Sequence, residues 1–272
     1  MKLRMVSALA IALGSVAYAQ SAPPAGYLDI DEFDVMAVIE PAPRPGDPRY
    51  EADRAIFRDT RSLAGSDRYA LATNDVQTDA SAMLRDFSCA VGVTLTPDNA
   101  AQLALVAQRA ATDTGAQVRR AKEAYRRERP YVIDQGLTCQ TPAELFDVRA
   151  NRASYDYPSG HSTWGWTWAL VLAGAVPDRA QQVLERGRAY AESRIVCGAH
   201  NQSAVEAGML AASATMALVQ AKPAYLADLA AAREELEALR REPTARPANC
   251  DAEALLVAQP VLPPLVESPA GP

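Results

Sequence analysis

Two stretches of this chain, 162–176 and 204–219, are built almost entirely of apolar and small residues, and they limit what the chain can fold into more than any other feature. Each falls short of the roughly 18 to 20 residues a membrane-spanning helix requires, and charged residues flank both. A segment this apolar must instead be covered on all sides by other segments, which predicts the buried centre of a helical bundle. Around them Ile56, Phe57, Leu63, Tyr69, Leu71 and Val76 recur at roughly helical spacing among charges. No strand-like alternation of useful length and no internal repeat interrupts that pattern. The fold class read from it is all-α, a single helical-bundle domain.

Local signals divide the chain further. Thr96 as N-cap and Pro97 in the first turn predict a helix carrying Leu103, Leu105, Val106 and Ala110 until Gly115 interrupts it, with a second helix over 118–127. Further helices are predicted over 161–176, 178–193, 200–220 and 223–241. Residues 130–158, rich in Pro, Gly, Asn and Asp, read as one long loop, and loops of that length in a compact domain are often functional.

The ends read differently. Residues 1–19 combine a short basic start, an apolar run over 5–16 and the small-x-small triplet Ala17-Tyr18-Ala19, the pattern of a signal peptide cleaved before Gln20. The mature chain would then be periplasmic or secreted. Residues 20–50 form a Pro-rich arm expected to be extended, 51–241 the helical domain, and 242–272, with seven of the nineteen prolines, a tail expected to wrap the surface or stay mobile.

Without the leader, 25 basic face 33 acidic side chains, a formal charge of −8 that disfavours nucleic acid and anionic membranes as partners. Cys89, Cys139, Cys197 and Cys250 show no CxxC spacing, which argues against a zinc cluster and, in an exported chain, for two disulfides. Three pairings exist; Cys89 with Cys139 and Cys197 with Cys250 is the expected one, since it closes one loop in each half of the chain.

The unusual residues concentrate in three segments: Lys122-EAYRRE-Arg129-Pro130, Pro158-Ser159-Gly160-His161, and Ser193-Arg194-IVCGA-His200. The only two histidines of the chain both fall there. Phosphoryl transfer needs positive charge around three equatorial oxygens and an attacking and a leaving atom in line across phosphorus. Lys122, Arg129 and Arg194 can supply the charge, the two guanidiniums as planar forks and the ammonium as a point charge. Ser159 and Gly160 precede a predicted helix, so their amides and the Ser hydroxyl can face an anion at the positive end of its dipole. The two histidines remain, one to attack phosphorus and one to protonate the departing alkoxide, and the scheme requires neither metal nor cofactor.

In order and spacing, K-x6-RP, PSGH and SR-x5-H together resemble the signature of the type-2 phosphatidic acid phosphatase superfamily, over residues 122–200. The leader and the lack of spanning helices make the chain most similar to the class A bacterial non-specific acid phosphatases. The resemblance implies an all-helical bundle, His200 as the nucleophile that becomes a phosphohistidine, and His161 as the general acid and later base. It further implies that Lys122, Arg129, Ser159, Gly160 and Arg194 hold the phosphate, with phosphate monoesters and inorganic phosphate as ligands.

One position departs from the family. Four residues after the nucleophile the signature has an Asp that orients the imidazole; here Ala204 stands there. Glu206 is rotated about 120° away on a helix and cannot replace it, so reduced turnover is expected unless a backbone carbonyl or a residue from elsewhere stands in. A non-catalytic phosphate-binding protein is the alternative this raises. A vanadium-dependent haloperoxidase, which shares the constellation, is another, although those chains are much longer. Trp164, Trp166, Trp168, Tyr155 and Tyr157 read as packing residues, Cys197 as a brace, and Arg119, Arg120, Arg126 and Arg127 as a basic exposed face. No membrane anchor is expected, and self-association is compatible with the composition.

Overall fold

The computed structural model describes residues 23–148, 151–242 and 246–262, so the expected leader over 1–19 lies outside the described residues. Ten α-helices follow one another there: α1 (Pro48–Thr60), α2 (Asp67–Asn74), α3 (Ala80–Val91), α4 (Ala101–Tyr125), α5 (Pro130–Ile133), α6 (Gly160–Ala175), α7 (Ala180–Val196), α8 (Gln202–Val219), α9 (Pro223–Arg240) and α10 (Cys250–Ala258). Among the described residues the fold is all-α apart from one antiparallel pair of two-residue strands, in which Phe146 faces Ala153 and Asp147 faces Arg152.

The apolar stretch 162–176 becomes α6, the axial helix, against which α4, α7, α8 and α9 all pack. Trp168, Val171 and Leu172 on α6 are fully buried with Leu103, Val106 and Ala110 of α4, Tyr190 of α7 and Tyr225 and Leu229 of α9. Trp164 and Trp166 are partly buried against the same core, and the indole of Trp166 donates to the Ser213 hydroxyl at 2.8 Å. None of the three lines the cavity described below, which fits their reading as packing residues. Where α6 meets α7, a Cβ on Gly165 would lie 2.1 Å from the Tyr190 ring, so glycine is what lets that tyrosine lie against α6.

Several local expectations fail in an instructive way. No helix starts at Pro97: Asn99 Oδ1 accepts from the amide of Thr96, the chain turns, and α4 begins at Ala101. Gly115 does not interrupt it. The buried face runs unbroken from Leu103 through Ala110 and Thr114 to Val118 and Ala121, and that packing outweighs the ~1 kcal/mol a helical glycine costs. Arg126, in the left-handed region at φ 51°, then ends the helix.

The disulfides are Cys89–Cys250 and Cys139–Cys197, which corrects both expected pairs. Loop size was the wrong criterion, because the bundle brings the segment around Cys250 back to α3 and lays the loop after α5 on the end of α7. The segment expected as a wrapping or mobile tail carries a helix, α10, tethered at Cys250. The N-terminal arm lies along α4 and α9: Asp113 accepts from the Tyr27 amide at 2.7 Å and Asp228 from its hydroxyl at 2.7 Å.

Candidate active site

One cavity of about 210 Å3 opens where the N-terminus of α6, the end of α4, the end of α7 and the loop after α5 meet. Lys122, Arg129, Gly160, His161, Arg194 and His200 line it, joined by Gln140, Glu144, Leu145 and Ser154. Six of the seven sequence-selected residues thus share one pocket. Ser159 does not line it: its amide donates to the Ala204 carbonyl at 2.8 Å and its hydroxyl caps α6 by accepting from the Ser162 amide at 3.2 Å. Sequence reasoning placed it on the anion, but as N-cap its oxygen is turned into the helix. Gly208 permits this seat, since a Cβ there would lie 2.6 Å from the Ser159 carbonyl.

The amides of Gly160 and His161, in the first turn of α6, have no carbonyl a turn earlier to bond, which leaves them for an anion at the helix's positive end. Three cations surround the same space. Arg129 is held by the Ser154 and Ala199 carbonyls, each at 2.7 Å, and by the Ser154 hydroxyl at 2.6 Å. Arg194 donates to the Gln140 side chain, and Lys122 to the carbonyls of Tyr155 and Asp156. Burial, then the neighbouring Arg129, pushes Arg194 down to about 9, still cationic at neutral and acidic pH. The Cys139–Cys197 bond braces this wall, tying the loop that carries Gln140 to the residue that follows α7.

The geometry fixes the tautomer of each histidine. Arg129 Nη1 lies 3.0 Å from His200 Nε2, and a guanidinium only donates, so Nε2 holds a lone pair and Nδ1 carries the proton. That Nδ1–H meets Asp156 Oδ1 at 2.8 Å. His161 is the reverse: Nε2 lies 2.5 Å from the Asp75 carbonyl oxygen, which only accepts, so Nε2 carries the proton and Nδ1 the lone pair. The Tyr190 ring stacks on it at 4.9 Å, nearly parallel. Burial, followed by the cations of the pocket, holds both imidazoles well below their ordinary value.

Behind His200 stands a buried polar network that the sequence did not reveal. Asp156, fully buried, also accepts from the amide of Asn201 at 3.2 Å and from its side chain at 2.8 Å. Arg127 approaches Asp156 at 3.7 Å and pairs with buried Asp53 at 2.8 Å, which corrects its reading as part of an exposed basic face. Burial pushes the Asp156 carboxyl up, while Arg127 foremost and Asn201 after it pull the other way. Glu206 lies outside this network, near Arg49 at 3.8 Å on the surface. Ala204 packs its methyl among Val35, Ile39, Val118 and Tyr157. The signal that could have found Asp156 is its place just before PSGH, in a loop already set apart by its length.

Among known proteins, the PAP2 superfamily pattern matches residues 102–226, and curated relatives extend the match over most of the chain. The chain belongs to the PAP2 superfamily. It is 38% identical over 208 residues to an acid phosphatase of Zymomonas mobilis, covering 76% of this chain and 77% of that one. It is 35% identical over 199 residues to a non-specific acid phosphatase of Salmonella typhimurium (73% and 78% covered) and 32% identical over 210 residues to one of Providencia stuartii (77% and 83%). Within the PAP2 superfamily, these phosphatases are the relatives that the motifs themselves resembled.

Proposed function

We propose that this chain is an exported acid phosphatase that hydrolyses phosphate monoesters through a phosphohistidine on His200. The observation that carries the reading is the convergence of two oppositely tautomeric imidazoles and three cations on a single cavity. Lys122, Arg129, Arg194 and the first-turn amides of α6 hold the nonbridging oxygens. The lone pair on His200 Nε2 forms the N–P bond as the P–O bond to the leaving group breaks, and Arg129 turns its proton from Nε2 to a phosphate oxygen. The alkoxide takes a proton from Nδ1 of His161, which bound phosphate dianion has raised into the imidazolium form. Neutral Nδ1 then accepts a proton from water, whose oxygen displaces His200 and releases phosphate.

The side chains present supply every proton and every charge in this scheme, so it runs without a metal ion. The cavity is smaller than the roughly 300 to 1,000 Å3 of drug-sized ligand sites, so it takes the phosphoryl group and leaves most of the alcohol outside, which favours broad specificity. Export is supported by two disulfides in a small domain, a pattern of oxidising compartments. The expectation of reduced turnover rested on Ala204 leaving Nδ1 without a carboxylate. With Asp156 in that place the expectation loses its premise, and with it the main motive for a non-catalytic binding protein.

The test is hydrolysis of p-nitrophenyl phosphate near pH 5, with an alkaline quench to preserve phosphohistidine for peptide mass spectrometry. His200→Ala should lower kcat by at least about 10⁴-fold and abolish the adduct, as removal of a nucleophile does elsewhere. The chelator EDTA should leave the rate unchanged. Phosphate trapped on another residue, or a rate abolished by EDTA, refutes the reading.

A further inference from the structure

A nucleophilic imidazole that attacks through Nε2 must keep its single proton on Nδ1, and in a buried site that proton needs an acceptor. The Asp four residues on that does this by resemblance is absent, and Ala204 at that position belongs to a buried apolar cluster. We propose that Asp156 is the positioning residue for His200, its carboxylate fixing the Nδ1–H tautomer from the loop leading into α6 instead of from α8. This rests on the phosphohistidine reading above and adds to it how the nucleophile is aimed.

Three observations carry it. Oδ1 sits 2.8 Å from Nδ1, and every hydrogen-bonding partner of the two oxygens is a donor, the surroundings of a carboxylate anion. Stability gives little reason for such a group, because a fully buried ion is commonly replaced by apolar residues without loss. Nor does Arg127 require it, since its guanidinium already pairs with Asp53 at 2.8 Å and stands 3.7 Å from Asp156.

The backbone of Asp156 is fixed as firmly as its side chain. Its amide donates to the Arg127 carbonyl at 2.8 Å, and its carbonyl accepts from Lys122 at 3.3 Å. One residue in the second motif's loop thus touches the cation of the first motif and the nucleophile of the third. As the imidazole bonds to phosphorus and becomes cationic, a carboxylate at hydrogen-bond distance stabilises the charge that develops.

Because the chain has two histidines, nitrogen-15 histidine labelling reads the assignment directly. At a pH where both rings are neutral, the intact protein should show one Nδ1–H ring and one Nε2–H ring. Two Nε2–H rings would overturn the proposal, and this measurement needs no variant to fold. Asp156→Asn, whose amide can donate to Nδ1, should convert the Nδ1–H ring to the other tautomer and lower kcat by about 10² to 10⁴-fold, with inorganic phosphate binding held within about threefold. A rate within about threefold of the parent, or phosphate binding lost in proportion to kcat, also overturns it. If the parent enzyme forms no phosphohistidine while showing both tautomers, the functional reading falls and the positioning contact stands.

Discussion

The two walls of the pocket hold their histidines by opposite means. On one side a charged network of Asp156, Asn201, Arg127 and Asp53 stands behind His200; on the other His161 leans on a neutral backbone carbonyl and an aromatic face. The difference matches the two tasks proposed for them, nucleophile for His200 and acid for His161. A nucleophile becomes cationic as it bonds to phosphorus, so a carboxylate behind it lowers the barrier. An acid must give its proton away, and a carboxylate behind it would stabilise the imidazolium and weaken the donor. A carbonyl orients the ring without that penalty. The carbonyl is itself secured by charge at one remove, since the Asp75 carboxylate is gripped by Arg186 at 2.6 and 3.2 Å.

The largest effect that could break this contrast is expected at the acid. His161→Asn should lower kcat/KM, which covers the steps up to the phosphohistidine, by ~10² to 10⁴-fold for alkyl phosphates, whose alkoxide needs a proton, and far less for p-nitrophenyl phosphate, whose phenolate leaves without one. An equal loss on both substrates would assign His161 to binding and dissolve the division of labour between the walls.

How much of this was legible in the sequence follows the same divide. The bundle, the axial helix 162–176 and the meeting of six of the seven selected residues in one pocket were readable because helical period and motif spacing are local. The carboxylate behind His200 was not, because motif spacing points along the helix that follows His200, whereas the fold brings in a residue from the loop before His161. Arg127 and the disulfides failed for the same reason: burial of the guanidinium beside Asp53 and the partners of four distant cysteines are settled by tertiary contacts. The break expected at Gly115 was a local rule overruled by packing. Asp75 and Tyr190, which orient His161, carry no motif at all.

A smaller effect sharpens the indirect role of Asp75. Asp75→Asn keeps the carbonyl that accepts from His161 but leaves buried Arg186 without its close carboxylate, which should cost about 3 kcal/mol of stability. Thermal melts should register that loss, while kcat at a temperature where the variant is folded should change by less than ~5-fold. A collapse of kcat with an unchanged melting temperature would instead give the Asp75 carboxylate a part in the chemistry.

The smallest effect concerns protons that both walls share. Each imidazole is held well below its ordinary value, so the unfolded chain binds protons that the folded chain refuses once the pH drops below about 6.5. The stability tied to the neutral rings is therefore fully present above that pH and is lost as the pH falls through the depressed values. A dianion placed among Lys122, Arg129 and Arg194 reverses the local field and raises His161 into its charged form, while His200 keeps its lone pair toward Arg129, so the loss tied to one ring is offset. Sulfate, which stays dianionic throughout, should thus stabilise the protein by ~1 kcal/mol more at pH 5 than at pH 7, as about one pKa unit on one group is worth. The increment should shrink in His161→Asn, where one of the two rings is gone. Equal stabilisation at both pH values would mean that anion binding and imidazole protonation are uncoupled, and that the acid is charged by some route other than its substrate.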